Sequence, residues 1–222
     1  MLLVGHAAWA YVISRSLASV LNVKINPYLV MLLGMVPDAD ILLQEYIKHR
    51  SVTHSMLFWG IVFIPFFIAY RKRSIPYFMA VVQHIMLGDV IVASTNLIWP
   101  WRYEIGMGYS ALSPLNMAME SIGLGLALLL TIKYDRFIIT RNRCNILGLV
   151  VILPLLGSML YLFTANGLLF LDHIIGSSIS AKNMIRGSND MMFVAMILHV
   201  SFSILLSISI LQGMYALIAR IH

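Results

Sequence analysis

Long apolar runs separated by short polar stretches set the pattern of this chain. The runs are continuously apolar and of helical length. They lack the alternation a membrane strand needs, which predicts spanning helices rather than a β-barrel. Leu2 to Leu21 is the first segment, with His6 near its start and Arg15 inside it. A short turn follows, and Pro27 suits the first turn of the next helix. That second segment, Tyr28 to Leu43, is interrupted at Pro37-Asp38-Ala39-Asp40, because Pro37 removes a backbone donor and breaks or kinks a helix. Gln44 to Val52 is a polar connection. Ser51 or Thr53 is placed to cap a third segment, which runs to about Tyr70 and closes on Arg71-Lys72-Arg73. Ile75 to Trp99 is the fourth, with His84 and Asp89 inside it. Pro100 to Pro114 is a loop rich in Trp, Tyr and Gly, the composition of an interfacial belt. Leu115 to Tyr134, Asn145 to Ala165 and a stretch within Met191 to Ile221 complete the series, with a mixed loop over 166–190. The fold class is all-α: a polytopic transmembrane helical bundle of about seven spans.

Composition strengthens this picture. Apolar residues make up 60% of the 222 and charged residues 11%, with a mean hydropathy of +0.89, well outside the range of soluble domains. The net charge of +6 invites a nucleic-acid reading. The basic residues gather instead in short loops between spans, so membrane lipids are the expected partners and nucleic acid is not. Lys24, Arg71, Lys72, Arg73, Lys133, Arg136, Arg141, Arg143 and Arg220 fall on one side of the alternating spans. Lys48, Arg50, Arg102, Lys182 and Arg186 fall on the other. The larger group marks the cytoplasmic side of a cell membrane, which puts the amino terminus outside and the carboxyl terminus inside. The lone Cys144 excludes an intrachain disulfide framework. The first segment lacks a basic leader region and is expected to remain as a span.

Charge then singles out one stretch. Between Gly34 and Ser55 the chain packs Asp38, Asp40, His49, Arg50 and His54, although it has only nine acidic residues and seven His in all. In the seven-span topology His6, Asp38, Asp40, His54, His84, Asp89 and Glu120 fall at similar depth, in the outer half of the membrane or just above it. Each has an ordinary explanation alone: a hydrogen-bonded core His, a turn Asp, a capping Glu, an internal His–Asp pair. Their shared depth favours one site between helices. Imidazole and carboxylate are ligands for Zn²⁺, Mn²⁺ or Fe²⁺, and a divalent ion offsets the cost of burying several carboxylates. Two such ions about 3.5–4 Å apart suit phosphodiester cleavage. Alternatives are an ion- or proton-coupled transporter, or a non-catalytic scaffold. Ionisable residues confined to one half of the membrane argue against a transport route. Outside the cluster, His173 beside Asp172 and His199 stand apart; His199 reads as a core residue.

Gly5-His6, Pro37-Asp38-Ala39-Asp40, His49-Arg50-Ser51-Val52-Thr53-His54-Ser55, His84 with Asp89 ahead of Trp99-Pro100, and Ser113-Pro114 before Glu120 resemble the YdjM-like inner-membrane-bound metal-dependent hydrolases, one of which is described as LexA-binding. The resemblance covers residues 1–125, the expected hydrolase-like membrane core, with 126–222 as additional carboxyl-terminal helices. That family is distantly similar to the zinc-dependent phospholipase C and single-strand nuclease group. The resemblance therefore implies a phospholipase C-like helical core and a divalent cofactor, zinc first, with Mn or Fe as alternatives. It implies His6, Asp38 or Asp40, His54, His84 and Asp89 as metal ligands. The expected reaction is hydrolysis of a phosphoester or ester of a lipid or lipid-linked substrate, with His49 or Glu120 as acid or base and Arg50 stabilising substrate charge. In one respect the chain departs from the family's pattern. The fourth-helix element usually reads His-x-x-x-Asp, but four residues separate His84 from Asp89. A regular helix would turn Asp89 away, and a π-bulge near Gly88 would restore the pairing.

Overall fold

In the computed structural model the described residues are 1–43, 46, 49–92, 94–101, 103–109 and 113–136, together with 194, 197, 198, 200–202, 204 and 205. Most of them are helical. The span expected over 145–165, the loop over 166–190 with Asp172 and His173, His199 and most of the last expected span lie outside the described residues. The chain divides into two compact units. One is Met1 with Gly5–Ala111, and the other is Leu2–Val4 with Leu112–His222.

The first unit begins in α1 (Leu3–Leu21), which buries the small residues Ala7, Ala8 and Ala10 together with Tyr11. Pro27 opens α2 (Pro27–Leu33), and Asn26 caps it: the Asn26 side-chain oxygen accepts from the amides of Tyr28 and Leu29 at 3.0 and 3.3 Å. The helix ends at Gly34. A side chain there would collide with Ala10 and the His6 carbonyl, so α1 can pass this point only because the residue is glycine. The chain then tightens into a 3₁₀ helix, Val36–Leu43, at the expected Pro37 interruption.

A second 3₁₀ turn, Val52–His54, leads into α3 (Met56–Tyr70). Its cap is Ser55, whose hydroxyl accepts from the Phe58 amide at 3.3 Å, and neither of the expected Ser51 and Thr53 takes that place. At 15 residues α3 is about 22 Å long, shorter than the roughly 30 Å of a bilayer's hydrocarbon layer. After the turn Arg71–Arg73 the chain returns as α4 (Ile75–Val92). Ala10, Val30 and Ala80 form the contact between α1, α2 and α4, flanked by Ile25, Leu33 and Tyr77. Two buried hydrogen bonds tie α1 to α4, from Ser14 Oγ to the Pro76 carbonyl at 2.6 Å and from Gln83 Nε2 to the His6 carbonyl at 2.9 Å.

Within α4 the stretch His84–Asp89 is a π-helix. The helix stops at Val92, earlier than the expected Trp99, because an unforeseen antiparallel hairpin begins there. β1 (Thr95–Asn96) pairs with β2 (Glu104–Ile105), with Thr95 opposite Ile105 and Asn96 opposite Glu104. Both flanks of the hairpin are anchored. The Leu97 carbonyl accepts from the Met56 amide at 2.9 Å and from Ser55 Oγ at 3.1 Å. The amides of Met107 and Tyr109 donate to the carbonyls of Val90 and Ile91 at 2.7 and 3.1 Å. The hairpin thus joins the start of α3 to the end of α4.

The second unit carries α5 (Pro114–Tyr134), capped by Ser113 and burying Asn116, Met117, Glu120, Gly123, Leu124, Ala127 and Thr131. By length and composition, α4 and α5 are each able to cross a membrane. Among the described residues no other helix meets that standard: α1 is interrupted by His6, Ser14, Arg15 and Ser16, α2 has seven residues, and α3 is short. The described residues therefore support two spans of the seven expected.

Candidate metal centre

Three segments of the first unit deliver polar side chains to one place. The 3₁₀ helix after α2 brings Asp38 and Asp40, the 49–54 segment brings His49, Arg50 and His54, and α4 brings His84 and Asp89. Ligand atoms of Asp38, His54, His84 and Asp89 all lie within 4.8 Å of one another, and so do those of Asp38, Asp40, His49 and His54.

The π-helix explains the α4 pair. A π-turn joins residues five apart, so His84 and Asp89 share a face that an α-helix would have split. Asp89 Oδ2 lies 3.4 Å from His84 Nε2 and 3.4 Å from His54 Nε2. Asp38 Oδ1 lies 3.2 Å from His54 Nε2 and 3.5 Å from His84 Nε2. The rings of His54 and His84 are 5.3 Å apart, edge to face.

The opposite nitrogen of each ring is occupied. His84 Nδ1 lies 2.7 Å from the Gly34 carbonyl, which can only accept, so Nδ1 carries a proton. His54 Nδ1 lies 3.0 Å from Thr53 Oγ1, and the Thr53 hydroxyl in turn donates to Asp40 Oδ2 at 2.6 Å. Asp40 also takes His49 Nδ1 at 2.8 Å and the Arg50 amide at 3.3 Å. Its oxygens are therefore engaged on the side of His54 away from Asp38. With Nδ1 of each ring engaged, each ring turns its Nε2 toward the carboxylates of Asp38 and Asp89. His84 Nε2 and Asp89 Oδ2 are buried and have no hydrogen-bond partner.

His6 belongs to neither four-residue group. Its ring stacks on His84, with centroids 3.7 Å apart and planes at 21°, and its Nδ1 is buried without a hydrogen bond. Gly88 makes room for it, since a side chain there would run into the His6 ring. Arg50 has a left-handed backbone, φ 62°, and its Nε stands 3.7 Å from Asp89 Oδ1. Glu120 is buried in the second unit.

His54, His84, Asp40 and Asp89 are almost fully enclosed. The side chains of Asp38, His49 and Arg50 are 14, 30 and 29% exposed, and they mark the open side of the cluster. Three contributors carry no local sequence signal: the Gly34 carbonyl, the Thr53 hydroxyl and the space at Gly88.

The family model described as YdjM inner membrane protein matches residues 1–168. No curated protein and no solved structure matches the chain.

Proposed function

The chain belongs to the YdjM inner membrane protein family, and we propose that it is a membrane-embedded, divalent-metal-dependent hydrolase of a phosphoester or ester in a lipid or lipid-linked substrate. One observation carries the metal reading. Two imidazole Nε2 atoms and two carboxylate oxygens converge at 3.2–3.5 Å, and the buried His84 Nε2 and Asp89 Oδ2 have no hydrogen-bond partner. In the neutral Nδ1–H tautomer these rings would face the carboxylate lone pairs with lone pairs of their own, and a cation among them relieves that repulsion.

Asp38, His54, His84 and Asp89 would hold that cation. The nitrogen and oxygen donor set without thiolate suits zinc, with Mn or Fe as alternatives. When bound, such an ion supplies Lewis-acid polarisation and a water that ionises near neutral pH. The protein's own groups do the rest. The Gly34 carbonyl fixes the tautomer of His84, and Thr53 with Asp40 fixes that of His54. Asp40, already accepting from Thr53, His49 and Arg50, serves in this reading as the anchor of His54 rather than as a ligand. Arg50, partly exposed beside Asp89, receives an anionic oxygen of the substrate. His49 keeps Nδ1 on Asp40, which leaves its Nε2 to exchange a proton with the leaving group. Glu120 is the alternative acid or base on sequence grounds, and His6 an additional ligand on the same grounds.

The lipid substrate rests on the resemblance to the YdjM-like hydrolases and the phospholipase C group, and on the inner-membrane setting of the family. The finer architecture of this reading keeps the seven spans, the outside amino terminus and a hydrolase core over 1–125. The test is metal analysis of the purified full chain beside His54→Ala and Asp38→Ala. The wild-type chain is expected to hold about one divalent ion per molecule, and each variant to lose most of it. Equal metal content in all three would overturn the proposal.

A further inference from the structure

At the end of the α3–α4 pair away from the metal centre, the two helices part around a groove of about 290 Å³. Phe63, Ile64, Phe67 and Ile68 of α3 line one wall, and Ile75 and Phe78 of α4 line the other. The one polar lining side chain, Ser74, donates its hydroxyl to the Arg71 carbonyl at 2.7 Å. The groove therefore offers an occupant only hydrocarbon contact. The chain linking its two walls is Arg71-Lys72-Arg73, all three exposed. Among the described residues no acidic side chain stands within ion-pair distance of any of them, so three positive charges crowd one end of a hydrocarbon slot.

We propose that this groove binds an acyl chain of one anionic phospholipid, with its headgroup held by Arg71, Lys72 and Arg73. Charge selects the headgroup. A basic cluster at a membrane surface favours acidic lipids, while a neutral zwitterionic lipid gains only the apolar contact. Shape selects the chain. The lining from Gly60 to Ile68 extends along about two helical turns, and Gly60 faces open space, where an added Cβ would meet nothing within 4 Å. The assignment needs no metal and no reaction, and it stands apart from the hydrolase proposal.

The experiment is native mass spectrometry of the full chain in micelles holding equal amounts of phosphatidylglycerol and phosphatidylcholine with the same acyl chains. The wild-type chain is expected to retain one phosphatidylglycerol with about tenfold preference. The triple variant Arg71→Gln, Lys72→Gln, Arg73→Gln is expected to bring the two lipids close to parity. Gly60→Leu fills the slot without touching the charges, and it is expected to remove the retained lipid whichever headgroup it bears. Parity in the wild-type chain, or full retention by Gly60→Leu, would overturn the assignment.

Discussion

His84 is held by a carbonyl fifty residues away in the chain, and its ring is backed by another imidazole. At this scale the site depends on fixing each donor atom in direction, and a small residue does part of that work. Gly88 lies where the His6 ring passes, so Gly88→Ala forces the stack of His6 on His84 to open. Overpacking of this kind costs about 1–3 kcal/mol. Gly88→Ala is expected to lower the thermal midpoint in detergent and to reduce bound metal several-fold. An unchanged midpoint together with unchanged metal would show that His6 has free space. His54, Asp38, His84 and Asp89 were all readable as candidates from residue type and position, and the structure brings them together. The different surroundings of Asp38 and Asp40 were not readable. Two residues apart, one faces the imidazole Nε2 atoms while the other is engaged by Thr53, His49 and Arg50. Only the fold around them distinguishes two carboxylates of the same type.

Spacing within single elements was more legible. The extra residue between His84 and Asp89 stands out against the pattern of the family the sequence resembles, and the π-helix absorbs it. The helix start at Pro27 and the break at Pro37 follow from proline chemistry and are seen. The cap of α3 was not legible, because Ser51, Thr53 and Ser55 are all competent capping residues two positions apart. Distant partners decide among them: Asp40 engages Thr53, while Leu97 and Trp99 engage Ser55. Ser55 Oγ makes three hydrogen bonds, to the Phe58 amide, the Leu97 carbonyl and the Trp99 amide. Ser55→Ala is expected to destabilise the first unit by about 1–3 kcal/mol. It should also speed amide hydrogen exchange at Leu97 and Trp99, where the hairpin meets α3. Exchange no faster than in the wild-type chain would show that the hairpin is held by its other flank alone.

Over the whole molecule, apolar content and the uneven placement of Lys and Arg carry the argument. They put the chain in a membrane, in agreement with its family and with two helices able to cross one. They also make a directional prediction. In a Cys144→Ser background, a cysteine replacing Lys72 is expected to react with a membrane-impermeant maleimide only after the cells are opened. A cysteine replacing Ser51, on the side of the candidate metal centre, is expected to react in intact cells. The reverse pattern would invert the orientation and place the site toward the cytoplasm.

Local order along the chain was sufficient for the apolar segments, the proline breaks and the density of His and Asp between Gly34 and Ser55. Those properties depend on residue type and near neighbours, which a sequence states outright. The hairpin that joins α3 to α4, the partner that Nδ1 meets on two rings, and the different surroundings of Asp38 and Asp40 were decided by the tertiary structure. Each is set by a hydrogen bond or a close approach between segments far apart in the chain, and no helical or strand period encodes which distant carbonyl a given imidazole will meet.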